Sequence, residues 1–304
     1  KHLLEEIQIL LLQKLKHLSS ENLSQFFPDS SIHRRNTGYA IDLLANENEH
    51  HNKWLNVLCG SEGTLAITTK IRLQLDPLPP KYVAVIAFHY HTMDAALGDT
   101  PLFMERKPYQ LELMDRIILE CTRESKEYAP YRSFVKGDPA AILLVECRGE
   151  TEAQLDQAIE KMKATQSYEL TILRGEESDK VWKLRAAGLG LLSNIPGDAK
   201  PVACIEDTAV RLDVLQEYIR EFDILMQKYG QQSVYYAHAG AGELHLPPRK
   251  ACITVPPRAR PAPAAAAAAR RGASMTGASE SASATLCRRR HCFCASFGAS
   301  SLTR

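Results

Sequence analysis

Apolar and polar positions alternate with different periods along this chain, and the change of period divides it. Leucines at helical spacing over Lys1–Leu18 predict an amphipathic helix. A helix-like run follows at Lys53–Cys59. Ile71, Leu73 and Leu75 then alternate with Arg72, Gln74 and Asp76, which predicts a strand within Leu65–Leu75. Pro77, Pro79 and Pro80 end that strand and mark a domain boundary. From 81 to 248, strand-like and helix-like runs take turns. Strands are predicted over Tyr82–Phe88, Ala141–Cys147, Glu169–Leu173 and Val202–Ile205. Helices are predicted over Gln110–Arg123, Glu150–Ala164, Glu176–Leu192 and Val214–Tyr229, with Leu155, Ile159 and Met162 on one face of the second. Ser233–Leu246 closes the block. Such alternation predicts an α+β fold, a sheet with helices on one face.

The pattern fails after residue 248. Prolines and arginines lead into Ala264–Ala269, then a Ser/Ala/Gly stretch, then Cys287 to Cys294, and large aliphatic residues almost vanish. Such a composition cannot offset its ordering entropy by burial, so 249–304 is expected to be a disordered, low-complexity basic tail. That tail holds ten basic residues and one acid, a balance of +9, which leaves −8 for residues 1–248 against a whole-chain charge of +1. The body is mildly acidic, which argues against nucleic-acid binding. With 304 residues, 45% of them hydrophobic, the chain can build a core for about two domains. No apolar run approaches the ~18 residues of a membrane-spanning helix. Cys59, Cys121, Cys147 and Cys204 are singly spaced in apolar surroundings, as reduced and mostly buried thiols would be, and form no disulfide framework. The N-terminus carries no signal peptide pattern and no initiator Met, so the chain is expected to start inside a longer one.

The most informative chemistry lies in Tyr235 to Pro247. Apolar strand residues lead in, Ala239-Gly-Ala-Gly242 turns, and a second short strand leaves. A four-residue loop over 239–242 sets His238 opposite Glu243 and Tyr236 opposite His245. Side chains two apart share a strand face, so Glu243 and His245 point the same way with His238 beside them. Two imidazoles and a carboxylate suit a divalent cation such as Zn²⁺, Mn²⁺ or Fe²⁺. The same residues also read as a glycine hairpin with two surface histidines. Gly60-Ser61-Glu62-Gly63-Thr64 offers backbone N–H groups and small side chains to an anion such as a pyrophosphate, or is an ordinary tight turn.

Taken together, the motifs are similar to a known family. Arg35-Asn36-Thr-Gly-Tyr-Ala-Ile-Asp42 followed by Cys59-Gly-Ser-Glu-Gly-Thr-Leu-Ala-Ile67 resembles the end of the FAD-binding domain of the FAD-linked oxidases of the vanillyl-alcohol-oxidase fold, which carry a PCMH-type FAD domain. D-lactate dehydrogenases, glycolate oxidase large subunits and D-2-hydroxyglutarate dehydrogenases are among them. Leu111-Glu-Leu-Met-Asp115, Val181-Trp-Lys-Leu-Arg185, Glu206-Asp-Thr-Ala-Val210 and His238-to-His245 match that family in order and spacing, most closely its long bacterial members fused to an iron–sulfur domain. The resemblance implies a partial FAD-binding domain over 1–80 and an antiparallel-sheet substrate domain over 81–248. It places Asn36, Gly60, Ser61, Gly63, Thr64 and Ile67 near FAD, Arg185 on a substrate carboxylate, and His238 and His245 on a metal. His238 or Glu243 is then the base. The implied reaction oxidises a D-2-hydroxy acid of the D-lactate or D-2-hydroxyglutarate type to the 2-oxo acid, with hydride passing to the flavin. A quinone, an electron-transfer flavoprotein or an iron–sulfur domain would accept the electrons. The implied compartment is the cytoplasm, with or without attachment at the inner membrane, or the mitochondrion in a eukaryote.

The chain also departs from the family pattern. The Gly/Thr/Ser-rich pyrophosphate loop of the FAD domain is missing, no glutamate after Pro248 stands for the third metal ligand, and Pro247 replaces a polar residue. Cys287, Cys292 and Cys294 fit no usual iron–sulfur spacing. Two other readings therefore stand beside the dehydrogenase: a non-catalytic remnant or interaction module that keeps the fold without FAD, and a metal-dependent hydrolase using His238, Glu243 and His245.

Overall fold

A computed structural model describes residues 38–45, 53–162, 166–192 and 200–250, with Ile195 and isolated positions before residue 35. Of the expected helix over 1–18, Glu6, Ile9, Leu10 and Gln13 are described and are helical. Asn36 and the chain beyond 250 lie outside the described residues. Two short helices come first, α1 (Ile41–Ala45) and α2 (Lys53–Cys59). The main body then runs β1 (Tyr82–Tyr90), α3 (Met93–Glu105), β2 (Gln110–Asp115), α4 (Arg116–Glu124), β3 (Ala141–Gly149), α5 (Glu152–Lys161), β4 (Glu169–Arg174) and α6 (Glu176–Leu191). It closes with β5 (Lys200–Pro201), β6 (Thr208–Ala209), α7 (Leu215–Lys228), β7 (Gln232–Ser233), β8 (Tyr236–His238), β9 (Glu243–His245) and β10 (Pro248–Lys250). None of the described helices is long and apolar enough to cross a membrane.

Seven strands form an antiparallel sheet in the order β4-β1-β3-β2-β8-β9-β6. Strands β5, β10 and β7 form a second, small antiparallel sheet. The expected α+β class and antiparallel sheet are what the structure has, but helices cover both faces of the large sheet instead of one. Ile86, Phe88, Leu113, Leu143 and Val145 turn to one side, where they meet Leu97 and Phe103 of α3, Leu155 and Ile159 of α5 and Ile219 and Phe222 of α7. Val85, Ala87, Met114, Ile142 and Leu144 turn to the other, against Ile118 and Leu119 of α4 and Val181 and Leu184 of α6. A strand buried on both faces has no polar face to display, so β1 and β3 read as continuous apolar runs. The helical face expected of Leu155, Ile159 and Met162 is indeed buried.

Three expected elements differ. Gln110–Arg123 is not one helix: Gln110–Asp115 is a strand, and only Arg116–Glu124 is helical. Leu111 and Leu113 alternate with Glu112 and Met114 across the sheet, and Asp115 caps the helix that follows, its Oδ1 accepting from Ile118 N at 2.9 Å. Helix α3 lacked a sequence signal because Gly98 and Pro101 interrupt it; its start is nonetheless fixed by Thr92, whose hydroxyl accepts from Ala95 N. The strands expected within Leu65–Leu75 and at Val202–Ile205 are not formed. Residues 65–80 adopt no helix or strand and leave Ile67 at 92%, Ile71 at 68% and Leu75 at 78% exposure. The 202–205 segment lies beside the 246–248 chain through two isolated bonds, Val202 N to Pro248 O and Leu246 N to Ile205 O, without laddering. Arg249 and Lys250 belong to β10, two residues past the expected start of the tail. Of the four described cysteines none is paired, and Cys59 and Cys204 are exposed where burial was expected.

The β8–β9 hairpin has the expected register: Tyr236 faces His245, Ala237 faces Leu244 and His238 faces Glu243. A single 3₁₀ turn over Ala239–Ala241 connects the strands, and Gly242 closes it in the left-handed region at φ 67°. A Cβ on Gly242 would lie 2.1 Å from the Val210 carbonyl oxygen, so the turn requires glycine for space as well as for its dihedral.

Two predictions follow from these anchors. Gly242→Ala should destabilise the protein by ~2 kcal/mol or more, since both the left-handed strain and the clash must be relieved; urea unfolding measures it, and a neutral result would show that the hairpin tolerates another turn. Asp115 is buried and accepts two backbone N–H bonds, from Ile118 and, at 2.8 Å, from Tyr235. Asp115→Ala orphans both donors and should cost about 2–4 kcal/mol, with Asp115→Asn, which keeps one acceptor, costing about half of that. Burial pushes the Asp115 carboxyl from 3.8 up to about 7. A raised folded value favours the native state at low pH and loses that contribution as pH climbs. The advantage of the wild type over Asp115→Asn should therefore shrink between about pH 4 and pH 7.

Candidate active site

The helical side of the sheet that faces α6 also carries the polar side chains. Alternation puts Glu112 of β2 and Tyr236 and His238 of β8 on this face, and the hairpin register adds Glu243 and His245 of β9. Helix α6 brings Arg185 over them, and the chain entering β6 supplies Glu206 and Asp207 from the far side. Strands near this end are only three residues long, and so the sheet frays into chain whose side chains need not be apolar.

The two imidazoles lie 5.4 Å apart, ring centre to ring centre, edge to face. Each has its Nδ1 on a carboxylate. His238 Nδ1 lies 2.9 and 3.1 Å from the two oxygens of Glu112. His245 Nδ1 bonds Glu206 Oε2 and sits 3.4 Å from Asp207 Oδ1. A carboxylate only accepts, so each Nδ1 carries a proton, and in the neutral ring the lone pair is on Nε2. That is the state in which an imidazole binds a cation.

Glu112 is the hub of one half. Beyond His238 it accepts from Arg185 Nη2 at 2.9 Å and from Gln110 Nε2 at 2.9 Å. Burial pushes its carboxyl up, but the His238 bond and the Arg185 charge outweigh burial and hold it below the ordinary carboxylate range. Tyr236 joins the halves. Its ring stacks on His245 at 4.5 Å, it lies 5.5 Å beneath the Arg185 guanidinium, and its hydroxyl donates to Glu206 at 3.2 Å. Burial and the Glu206 charge raise the tyrosine hydroxyl's pKa and keep it protonated.

The expected residues are thus brought together in part. His238, His245 and Arg185 share one cluster. Glu243 is buried on the same face, but its charge is met by Arg34 Nε at 3.1 Å, an ion pair without a well-directed hydrogen bond at Oε2. Gly60, Ser61, Gly63 and Thr64 form a separate turn. Ser61 Oγ donates to Leu58 O and Thr64 Oγ1 to Ser61 O, so that Tyr39 OH donates to Thr64 Oγ1 at 2.7 Å. Ile67 projects into solvent. Glu112, Tyr236, Glu206 and Asp207 were not singled out as functional residues. A charged residue inside an apolar strand, Leu111-Glu112-Leu113, was the available signal, because a buried acid must have a partner.

The donors suit a borderline divalent cation held by the two Nε2 atoms. A second grouping also exists among the described residues: Glu206, Asp207 and His245 each offer one atom, all within 4.8 Å of one another. One further donor is unspent: Arg185 Nε is buried with no hydrogen-bond partner.

Comparison with known proteins places the chain in a family. The D-2-hydroxyglutarate dehydrogenase of Pantoea ananatis is 30% identical over 243 residues, 75% of this chain and 24% of that protein. The Escherichia coli D-2-hydroxyglutarate dehydrogenase is 28% identical over 232 residues, covering 71% and 23%. The D-lactate dehydrogenase of Archaeoglobus fulgidus is 29% identical over 197 residues, covering 64% and 41%. The chain therefore spans about a quarter of the length of the first two relatives. Residues 79–269 match the family of FAD linked oxidases, C-terminal domain, and the chain belongs to that family.

Proposed function

We propose that this chain is the substrate-side part of an FAD-dependent dehydrogenase that oxidises a D-2-hydroxy acid of the D-lactate or D-2-hydroxyglutarate type to the 2-oxo acid. The observation that carries this reading is the Arg185–Glu112–His238 cluster with His245 beside it: a guanidinium with an unspent buried N–H next to two imidazoles with unspent Nε2 atoms. A 2-hydroxy acid offers a carboxylate and a hydroxyl, one group for the guanidinium and one for a cation held by the imidazoles. The carboxylate would take the Arg185 donor in a charge-assisted bond. His238 and His245 would hold the divalent cation, Zn²⁺, Mn²⁺ or Fe²⁺, on the substrate hydroxyl and so ease its deprotonation. With His238 Nε2 committed to the cation, Glu243 is the carboxylate left on that face to take the proton. Bound FAD supplies the hydride acceptor. Electrons would leave to a quinone, an electron-transfer flavoprotein or an iron–sulfur domain.

For FAD, the described part of the expected contact set is the Gly60–Thr64 turn and Ile67. Gly63 has open space where a Cβ would be, but the Ser61 and Thr64 hydroxyl protons are spent on backbone carbonyls. The expected outcome is that this chain, purified alone, shows no stoichiometric flavin absorbance; a yellow protein would overturn that expectation. Zn²⁺ titration of the same chain tests the cation site. His238→Ala and His245→Ala should each weaken binding by tenfold or more. If His238→Ala leaves affinity unchanged while Asp207→Ala weakens it, the cation belongs to the Glu206–Asp207–His245 group instead. In a longer protein containing this segment together with its flavin-binding part, Arg185→Met should cost roughly 10–100-fold in kcat/KM for D-lactate or D-2-hydroxyglutarate, the worth of a buried hydrogen bond to a charge. Dye reduction by that protein measures it, and no activity with any D-2-hydroxy acid would remove the proposal.

A further inference from the structure

Glu112 has no assigned role, yet it makes more polar contacts with the site than any of the expected residues. It lies in the middle of β2, on a strand buried on both faces, and is itself 4% exposed. A carboxylate in that position is kept only with full compensation. Besides Gln110, its compensation comes from two side chains of the candidate site: both its oxygens lie within hydrogen-bond distance of His238 Nδ1, and Oε2 accepts from Arg185 Nη2.

We infer that Glu112 is a positioning residue, a single buried anchor that fixes His238 in the Nδ1–H tautomer and aims the Arg185 fork from the same carboxylate. Three points support it. The geometry is one-sided: Glu112 can accept and cannot donate, so of the two neutral tautomers it selects the one with the proton on Nδ1 and the lone pair on Nε2. A free neutral imidazole has no such constraint, and which nitrogen carries the proton is set by the hydrogen bond the other one makes. The anchor is also rigid. Glu112 pairs with Leu144 of β3 in the middle of the large sheet, while the His238 side chain it steers is 40% exposed. Finally, the Arg185 side chain spends one Nη on Glu112 and leaves Nε unpaired, so the same contact decides which edge of the guanidinium is offered. Glu206 does the matching work for His245, and so makes an internal control.

The inference rests on the reading of His238 as a cation ligand, but its first test does not. The full 304-residue chain, labelled with ¹⁵N, reports imidazole tautomers through two-bond ring correlations. The expected result is Nδ1–H for His238 in the wild type and a mixture in Glu112→Gln, whose amide can either accept or donate; His245 should change in Glu206→Gln and not in Glu112→Gln. A wild-type His238 found as Nε2–H overturns the inference, whether or not any variant folds. The second test is Zn²⁺ affinity by calorimetry. Glu112→Gln should weaken it by roughly 10–100-fold, the usual effect of losing a carboxylate behind a ligating histidine. If the wild type binds Zn²⁺ through His238 and Glu112→Gln binds equally well, the positioning role fails while the cation site stands. If no Zn²⁺ binds at His238 but the tautomer follows Glu112, the cation reading fails and the anchor stands.

Discussion

An ionised carboxylate in the middle of a strand that is covered on both faces is the condition around which the site is arranged. Water cannot reach Glu112 to solvate it, so its charge must be met by the protein. Arg185 meets it electrostatically and His238 through a hydrogen bond. Removing either partner would leave the acid undercompensated, and removing the acid would leave a buried guanidinium without its counter-charge. The fold and the site therefore share a single constraint: helix α6 must lie where it does to bring Arg185, and hairpin β8–β9 must keep its register to bring His238. The same helix packs Val181 and Leu184 against the sheet, so burial of its apolar side sets the position of its arginine.

How much of this was legible in the sequence follows from the length of each signal. The hairpin was legible in full, because a two-residue period and a glycine turn fix which side chains face each other, and the observed pairs are the expected ones. Strands β1 and β3 were legible as apolar runs, and α5 through its buried Leu155 and Ile159. The two-sided covering was not, because an apolar run shows that a strand is buried and not how many layers bury it. Glu112 was hidden for a related reason. Gln110–Arg123 has enough apolar residues to satisfy a helical period, and only the cap formed by Asp115 shows that the helix starts at Arg116. Read as helix, Glu112 is one more surface acid; read as strand, it is a charge in the core. Six residues whose apolar spacing suits either element thus hide a buried acid that contacts both Arg185 and His238.

The exposed Ile67, Ile71 and Leu75 teach the converse. Their alternation with polar residues is a strand pattern, yet the described residues offer them no partner strand and they stay irregular. Periodicity specifies which face a strand would bury; hydrogen-bonding neighbours decide whether it forms at all.

The treatment of acids around the hairpin shows how one strand pair can separate roles among like residues. Glu112 and Glu206 approach the imidazoles from outside the hairpin and accept hydrogen bonds from Nδ1. Glu243, inside it, sits opposite His238 in the ladder and has Arg34 as its counter-charge. Had Glu243 also bonded an Nδ1, it would have been spent as another holder of a tautomer. Because Glu112 and Glu206 occupy those positions, Glu243 bonds neither Nδ1, and its Oε2 meets Arg34 as an ion pair instead. Arg34 then supplies the counter-charge that a carboxylate only 3% exposed requires.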